Sequence, residues 1–195
     1  MLRAAAAGAL ICVMSLASAA DAAGDFDIGQ LTQLLAQAKP GEATFTERRQ
    51  VAMLDKPLES SGTLSFEPPD TFVRETLKPR RERLAVVGNT LTMSRDNRSR
   101  TLELDSSPEA AVVVEAIRGT LTGNRASLER HFSTAVSGSA EHWSLELTPL
   151  EARLREKVSS MKLSGEQSMV REVQVLMPDG DRSVMTIEPV GSAAR

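Results

Sequence analysis

"GTLSFEPPDTFVRETLKP", residues 62–79, begins as a strand, stops at two prolines and resumes as a strand. Leu64 and Phe66 alternate with polar residues, which is typical of a strand with one buried face. The Pro68-Pro69 pair cannot donate hydrogen bonds to a strand ladder, so it marks a corner or an edge of a sheet. Phe72 restarts the apolar pattern. The stretch therefore predicts two strands of one sheet that meet at a proline corner.

Strand patterns extend on both sides of this corner. Gly88-Asn89 separates two alternating runs and is a two-residue hairpin signal. Further along, Trp143, Leu145 and Leu147 alternate with polar residues, and Pro178-Asp179-Gly180 marks another turn. These patterns predict roughly nine to eleven strands, with no repeat of solenoid length.

Helical spacing occurs before the strands and in the middle of the chain. Residues 28–38 carry apolar side chains at intervals of three and four. In the middle, Ser106 and Glu109 predict a capping box, and Gly119 predicts the end of that helix. A second helical piece is predicted over residues 127–132. The fold class is therefore mainly β (α+β), a large, curved antiparallel sheet with helices on one face.

The N-terminus has the three parts of a secretory signal peptide. Arg3 supplies a positive charge, residues 4–16 are apolar, and residues 17–19 have the small side chains of a cleavage site. The apolar run is shorter than the roughly 20 residues that a transmembrane helix needs. We predict a signal peptide over residues 1–20, cleaved between 19 and 23, and export to a bacterial periplasm.

The rest of the chain is expected to be one soluble domain over residues 24–190, a length that can bury its own core. Cys12 is the only cysteine and lies inside the predicted signal. Its neighbour Ile11 is not the small residue that precedes a lipidated cysteine, so lipid anchoring is not expected. The mature protein should therefore contain no thiol and no disulfide.

Positive charge is concentrated between residues 74 and 100, although the whole chain has a net charge of −3. The acidic residues there are Glu75, Glu82 and Asp96, against eight basic residues, which are Arg74, Lys78, Arg80, Arg81, Arg83, Arg95, Arg98 and Arg100. Such a cluster can meet anionic headgroups or an acidic partner, or it can be a solvated strand face. We assign the docking role to Arg74, Arg80, Arg81 and Arg83. Nucleic acid is a poor candidate because aromatic residues are few.

Few residues point to catalysis. His131 and His142 are the only histidines, and neither has metal-ligand spacing around it. The sequence contains no G-x-S-x-G elbow and no glycine loop that would hold a phosphate. We therefore expect no enzyme activity, no metal and no cofactor.

Binding has more support from the pattern of apolar residues. A strongly curved sheet with an apolar inner face encloses either a cavity, over which helices form a lid, or an ordinary core. The alternation places the following residues on that face: Leu64, Phe66, Phe72, Leu84, Val86, Leu91, Met93, Leu102, Leu104, Trp143, Leu145, Leu147, Met161, Leu163, Val173 and Val175. Both interpretations remain open from alternation alone.

The order of motifs resembles the periplasmic outer-membrane lipoprotein carriers, the LolA-like family. Phe45 stands where this family has F-x-[QE], and residues 62–66 match G-x-[LIF]-x-[FWV]. Pro69 with Phe72 is similar to the P-x-x-[FL] step, and residues 88–91 are similar to the hairpin motif. Residues 143–149 resemble the later L-x-P strand. The resemblance extends over almost all of the chain that follows the predicted signal.

The resemblance implies an incomplete β-barrel, closed by helices, with a cavity that receives the acyl chains of a lipidated cargo. The cavity residues would be Phe45, Leu64, Phe66, Phe72, Leu84, Val86, Leu91, Met93, Trp143 and Leu145. The lid would be formed by Val112, Val113, Ala116 and Ile117. The protein, expected to be a monomer, would act without catalysis and meet an inner-membrane exporter and an outer-membrane acceptor. The alternative is a periplasmic sensor or scaffold domain of the RseB type that binds a regulatory protein.

One position departs from the family pattern. LolA-like carriers have a basic residue directly before the proline of P-x-x-[FL], whereas this chain has Pro68 there, and the nearest basic residue downstream is Arg74. The difference favours a glycolipid or another free lipid over a lipoprotein as the cargo.

Overall fold

The computed structural model describes residues 26–96 and 98–191. Within them, eleven antiparallel strands form one sheet. The strands are β1 (Gly41–Gln50), β2 (Leu58–Glu67), β3 (Thr71–Lys78), β4 (Glu82–Val87), β5 (Thr90–Arg95), β6 (Arg98–Glu103), β7 (Phe132–Gly138), β8 (Trp143–Pro149), β9 (Ser160–Glu166), β10 (Met169–Leu176) and β11 (Arg182–Pro189).

The sheet is curved and does not close into a barrel. Its strand order is β6-β5-β4-β3-β2-β1-β11-β10-β9-β8-β7, so β6 and β7 are the two edges. Two meanders meet where the first strand pairs with the last, with Phe45 opposite Ile187. This agrees with the predicted fold class, mainly β with an incomplete barrel.

The turns that organise the first meander were predictable from local sequence. Val87 pairs with Thr90 across Gly88-Asn89, which confirms the two-residue hairpin. Phe66 pairs with Phe72, so the proline pair forms the corner between β2 and β3. Prolines are tolerated there because the residues that connect two strands donate nothing to the ladder.

In this described part of the chain, four helices accompany the sheet, together with one 3-10 turn, Leu104–Ser106. They are α1 (Ile28–Leu35), α2 (Pro108–Thr122), α3 (Arg125–His131) and the single turn α4 (Ala152–Arg155). Helix α1 begins with a capping box, in which Asp27 accepts from the backbone of Gln30 and the Gln30 side chain accepts from the backbone of Asp27.

The ends of α2 differ from the prediction. The N-cap is Ser107, while the Ser106 hydroxyl donates to the carbonyl of Glu103, so the predicted capping box with Glu109 is wrong. Gly119 lies inside the helix, where an added Cβ would come within 2.9 Å of Leu128, because α2 and α3 pack closely there. The left-handed C-cap is Gly123, with a φ of 66°.

Two apolar clusters lie on the concave face. The larger joins α1, α2 and α3 to the second meander, and its buried members are Leu31, Leu35, Val112, Ala116, Leu128, Phe132, Trp143, Leu145, Leu147, Leu154, Met161 and Leu163. The smaller joins α2 to β4 and β5 through Val86, Leu91, Leu104 and Val114. Helix α2 therefore packs against both halves of the sheet.

Some predictions lie outside the described residues. The signal peptide over residues 1–20 and Cys12 are among them. Of the helices in residues 26–96 and 98–191, none has the length and apolar character needed to cross a membrane.

Candidate functional site: the concave face

Cross-strand register arranges the concave side chains of the first meander in rows that cross the strands. The row nearest α2, here called the apolar row, consists of Phe66, Phe72, Val86, Leu91 and Leu102, each paired with the next. All five belong to one face because successive side chains of a strand point to opposite sides.

Polarity increases along the strands away from α2. Two residues further on, the mixed row contains Leu64, Arg74, Leu84, Met93 and Arg100. After two more residues, the polar row contains Gly62, Thr76, Glu82, Arg95 and Arg98. The concave face is therefore amphipathic, with an apolar end under α2 and a charged end beyond it.

Helix α2 covers the apolar row and leaves almost no space beneath it. The remaining cavity has a volume of about 20 Å³, and its lining residues are Phe66, Pro69, Asp70, Phe72, Val86, Val114, Ile117, Arg118 and Leu121. A space of this size holds about one water molecule. An acyl chain can enter here only if α2 moves away from the strands.

A polar contact fixes α2 at this end of the sheet. Arg118 donates to the backbone carbonyl of Gly88, in the β4–β5 turn, over 2.6 Å. The same guanidinium pairs with Glu115, which also accepts a hydrogen bond from Ser127 of α3. One arginine thus links α2, α3 and the hairpin turn.

Beyond α2 the concave face opens into a cleft of about 980 Å³, which is also bordered by Arg83, Ser94 and Ser99 of the opposite face. It is lined by Glu47, Arg49, Arg74, Thr76, Glu82, Arg83, Leu84, Met93, Ser94, Arg95, Asp96, Arg98, Ser99 and Arg100. The lining contains six arginines and three carboxylates, so the cleft attracts anions.

Arg74 is held at the boundary between the cleft and the apolar interior. Its Nη2 donates to Glu47 Oε2 over 2.5 Å, and its Cζ lies 4.6 Å from the centre of the Phe45 ring. The ring is buried, so the guanidinium contacts an aromatic face on one side and a carboxylate on another. Arg74 is therefore a fixed positive charge.

Glu47 is an ionised carboxylate within this arrangement. Burial of the carboxyl favours its neutral form, but a hydrogen bond from Ser183, the charge and hydrogen bond of Arg74, and a hydrogen bond from Ser60 outweigh that effect. The pKa of Glu47 is consequently lower than its ordinary value.

The arginines of the cleft differ in their partners. Arg49 pairs with Asp181 at 3.3 Å, and Arg95 pairs with Glu82 at 3.2 Å. Arg98 and Arg100 form no ion pair with any residue that the structure describes.

The predicted cavity residues lie in different parts of the concave face. The structure brings Phe66, Phe72 and Val86 together around the small cavity, with Leu91 beside them in the smaller cluster. It places Trp143 and Leu145 in the larger cluster and Phe45 and Leu64 in the buried centre. Leu84 and Met93 line the open cleft.

The predicted lid residues all belong to α2. Val112 and Ala116 are buried in the larger cluster, and Val113 packs against it. Ile117 faces the small cavity. These four side chains therefore cover both the apolar row and the second meander.

The predicted docking arginines do not lie on one face of the sheet, although Arg74 and Arg83 both line the cleft. Arg74 pairs across the strands with Leu84, so the adjacent Arg83 points to the opposite side, where it pairs with Glu75. Arg80 and Arg81 are exposed in the β3–β4 turn. Charge alone grouped the four, but alternation along the strands separates them.

Sequence reasoning did not find the ion pair of Glu47, the contact of Arg118 or the row arrangement of the arginines, although Glu47 is the third residue of the F-x-[QE] match. The rows follow from strand register, because Val87 pairs with Thr90 and Arg95 pairs with Arg98, which fixes the residues that face each other. The contacts of Glu47 and Arg118 join distant parts of the chain, so a local motif does not identify their partners.

Catalytic or metal-binding groups do not stand out in the part of the chain that the structure describes. Within it, no group of three or more His, Cys, Asp or Glu is placed to hold a metal ion. His131 Nδ1 lies 3.5 Å from Glu151, and His142 is largely exposed.

The sequence matches the family described as outer membrane lipoprotein carrier protein LolA-like over residues 18–194. No curated protein matches the chain. Among solved structures, a LolA superfamily protein from Nitrosomonas europaea is 9% identical, with 81% of this chain and 90% of that chain covered and a TM-score of 0.43.

Two further structures are similar at the same low level of identity. MucB, in the Pseudomonas aeruginosa MucA/MucB complex, is 12% identical, with 87% of this chain and 59% of that chain covered and a TM-score of 0.44. LprF from Mycobacterium bovis is 8% identical, with 86% and 94% covered and a TM-score of 0.36. The chain thus spans less than two thirds of the MucB chain.

Proposed function

The chain belongs to the LolA-like family of outer membrane lipoprotein carrier proteins, and from that premise we propose that it carries an acylated cargo. The acyl chain binds on the concave face, between α2 and the strands of the first meander. The carrier transfers its cargo through the periplasm, from an inner-membrane exporter to an outer-membrane acceptor, and acts as a monomer by reversible burial rather than catalysis.

One observation supports this proposal above the others. A continuous row of apolar side chains crosses five strands and is covered by α2 at this end of the sheet. If α2 moves away, an apolar ligand can take over the contacts that the helix makes with the apolar row. An acyl chain has that character, and Ile117 would move with α2 as part of the lid.

The energetics require such a moving helix. A buried methylene contributes about 0.8 kcal/mol, so a sixteen-carbon chain would gain roughly 12 kcal/mol before ordering costs. That affinity would be too high for a carrier that must release its cargo. Displacing Val114 from Val86 and Leu91 offsets part of the gain, because these contacts are lost when the acyl chain enters.

Locking α2 to the strands tests the proposal. Val86 and Val114 belong to one cluster, and both are replaced by cysteine in a protein that carries Cys12→Ser. Binding of a fluorescent fatty acid is measured with the cysteine pair reduced and then oxidised to a disulfide. The oxidised form should lose most of its binding, and reduction should restore it.

The matched control is a disulfide on the opposite face. Ser137 and Ser144 are register partners there, and alternation with the buried Trp143 and Leu145 directs them away from the concave face, so their cysteine variants should bind the fatty acid in both redox states. Equal binding by the locked and unlocked Val86/Val114 protein would contradict the proposed site. Recovery of a protein partner without any lipid, from the natural compartment, would instead favour a sensor or scaffold domain.

A further inference from the structure

The polar row lies on the same strands as the apolar row and two rows away from it. Successive rows are two residues apart, and a strand advances about 3.4 Å per residue, so neighbouring rows lie roughly 7 Å apart. Leu84 and Met93 of the mixed row connect the two ends without a break. An amphiphile with its tail on the apolar row would place its head among the arginines.

The arginines at this end face each other across neighbouring strands. Arg95 is the direct register partner of Arg98, and Arg100 follows one row nearer to the apolar side. Like charges directly opposite each other destabilise a sheet. Glu82 and Asp96 compensate Arg95, while Arg98 and Arg100 form no ion pair with a described residue. A bound anion would supply the missing negative charge.

Arg74 lies on the interior side of the cleft, where its charge is paired with Glu47. Leu84 and Met93 separate it from Arg100 in the mixed row, so the two arginines do not meet at one phosphate. Arginine is well suited to phosphate, since its planar group donates two parallel hydrogen bonds to two oxygens.

We propose that Arg98 and Arg100 bind the phosphate headgroup of a lipid whose acyl chain lies on the apolar row. This inference rests on the proposed carrier function and specifies its cargo as an anionic phospholipid or phosphorylated glycolipid. A lipid fits this surface better than an acidic protein segment does, because the charged cleft continues directly into the apolar row.

The experiment compares two lipids that differ only in the phosphate. Lysophosphatidic acid and monoacylglycerol of the same chain length are titrated below their aggregation concentrations. The proteins are the parent, Arg98→Gln/Arg100→Gln, and the control Arg80→Gln/Arg81→Gln. The control removes the same charge from an exposed turn at the same end of the sheet.

The parent should bind the phosphorylated lipid more tightly than the neutral one. The Arg98/Arg100 variant should lose about tenfold or more in affinity for the phosphorylated lipid, as expected for charged hydrogen bonds, and should keep its affinity for monoacylglycerol. The Arg80/Arg81 control should match the parent with both lipids. Added salt should reduce only the preference for phosphate.

Each contrary result has a distinct meaning. Equal affinity of the parent for the two lipids would overturn the headgroup site and leave the carrier function intact. Absence of binding to either lipid would overturn the carrier function itself. Equal losses in the Arg98/Arg100 variant and the control would overturn the site, because bulk charge would then explain the preference. Competition by polyglutamate as effective as competition by unlabelled lysophosphatidic acid would also overturn it, in favour of an acidic protein segment.

Discussion

Arg74 of β3 lies over the ring of Phe45 and also donates a hydrogen bond to Glu47. Glu47 follows Phe45 by two residues on β1. The contact places a charged group directly above a buried aromatic residue, at the point where the apolar interior meets the open cleft. Ser60 and Ser183 complete the hydrogen bonds of the carboxylate. The boundary between the two ends of the concave face is therefore a fixed ion pair.

Glu47→Gln should destabilise the protein at neutral pH by roughly 1–3 kcal/mol, because it leaves Arg74 without its counter-charge in a partly buried position. Urea unfolding followed by the fluorescence of Trp143, the only tryptophan, measures the change. The control is Glu59→Gln, which breaks the exposed pair with Arg48 and should cost less than about 1 kcal/mol. Equal effects of the two variants would contradict a structural role for the Glu47 pair.

The same pair predicts a pH dependence with a definite sign. Because the pKa of Glu47 is lowered in the folded protein, its stabilisation is fully present above the ordinary value of 4.5 and is lost as the pH falls through the folded pKa. The stability difference between the parent and Glu47→Gln should therefore shrink as the pH falls below about 4.5. Urea titrations between pH 7 and pH 3 check this, and a constant difference would count against it.

Arg118→Ala should loosen α2 by removing its contact with the Gly88 carbonyl. Hydrogen exchange in residues 112–117 should become faster, while exchange in the central strands stays unchanged. Arg125→Ala is the control, since that side chain pairs with Glu129 inside α3. If residues 112–117 of the parent exchange as slowly as the central strands, both with and without lipid, the moving lid is wrong.

Arg80→Glu/Arg81→Glu should slow association with anionic vesicles and leave the unfolding temperature nearly unchanged, because both side chains are exposed in a turn. Stopped-flow measurements at low and high salt detect the change. Arg83→Glu serves as a separate variant, since Arg83 already pairs with Glu75. Equal rates for the double variant and the parent at low salt would assign these arginines to a solvated surface.

Alanine substitutions at three glycines compare the cost of backbone strain with the cost of a steric clash. Gly41→Ala should be almost neutral, since the nearest atom to its new Cβ would be 3.8 Å away. Gly180→Ala, at a φ of 88° with open space around it, should cost about 1–2 kcal/mol. Gly123→Ala adds a Cβ at 2.0 Å from the carbonyl of Thr32 and should cost more than Gly180→Ala. Thermal unfolding of the three variants gives the order, and a reversed order would contradict the close packing of α1 against Gly123.

The strands were predictable because their signals are local. The corner at Pro68-Pro69 and the hairpin at Gly88-Asn89 each need only a few neighbouring residues, and alternation then identifies the inner face. The same alternation places Arg74 on the concave face and Arg83 on the opposite face. A prediction that groups these arginines by charge does not take this difference into account. Position within a strand is a better guide to the direction of a side chain than its charge.

The end of α2 and its closure over the apolar row could not be predicted in this way. Gly119 has the character of a helix end, but its lack of a side chain serves the contact with Leu128. Gly123 is the actual end because the chain must turn there in a left-handed conformation. Which glycine serves which purpose depends on a helix that follows later in the chain.

The open edge at β6 has a consequence for how separate molecules meet. An unpaired edge strand is a template on which the strand of another chain can add, and this is a common route to aggregation. Arg98 and Arg100 lie on this edge and are exposed. A second copy that paired with β6 would bring its own arginines close to them, so the charge that attracts an anion also keeps the edges of two molecules apart.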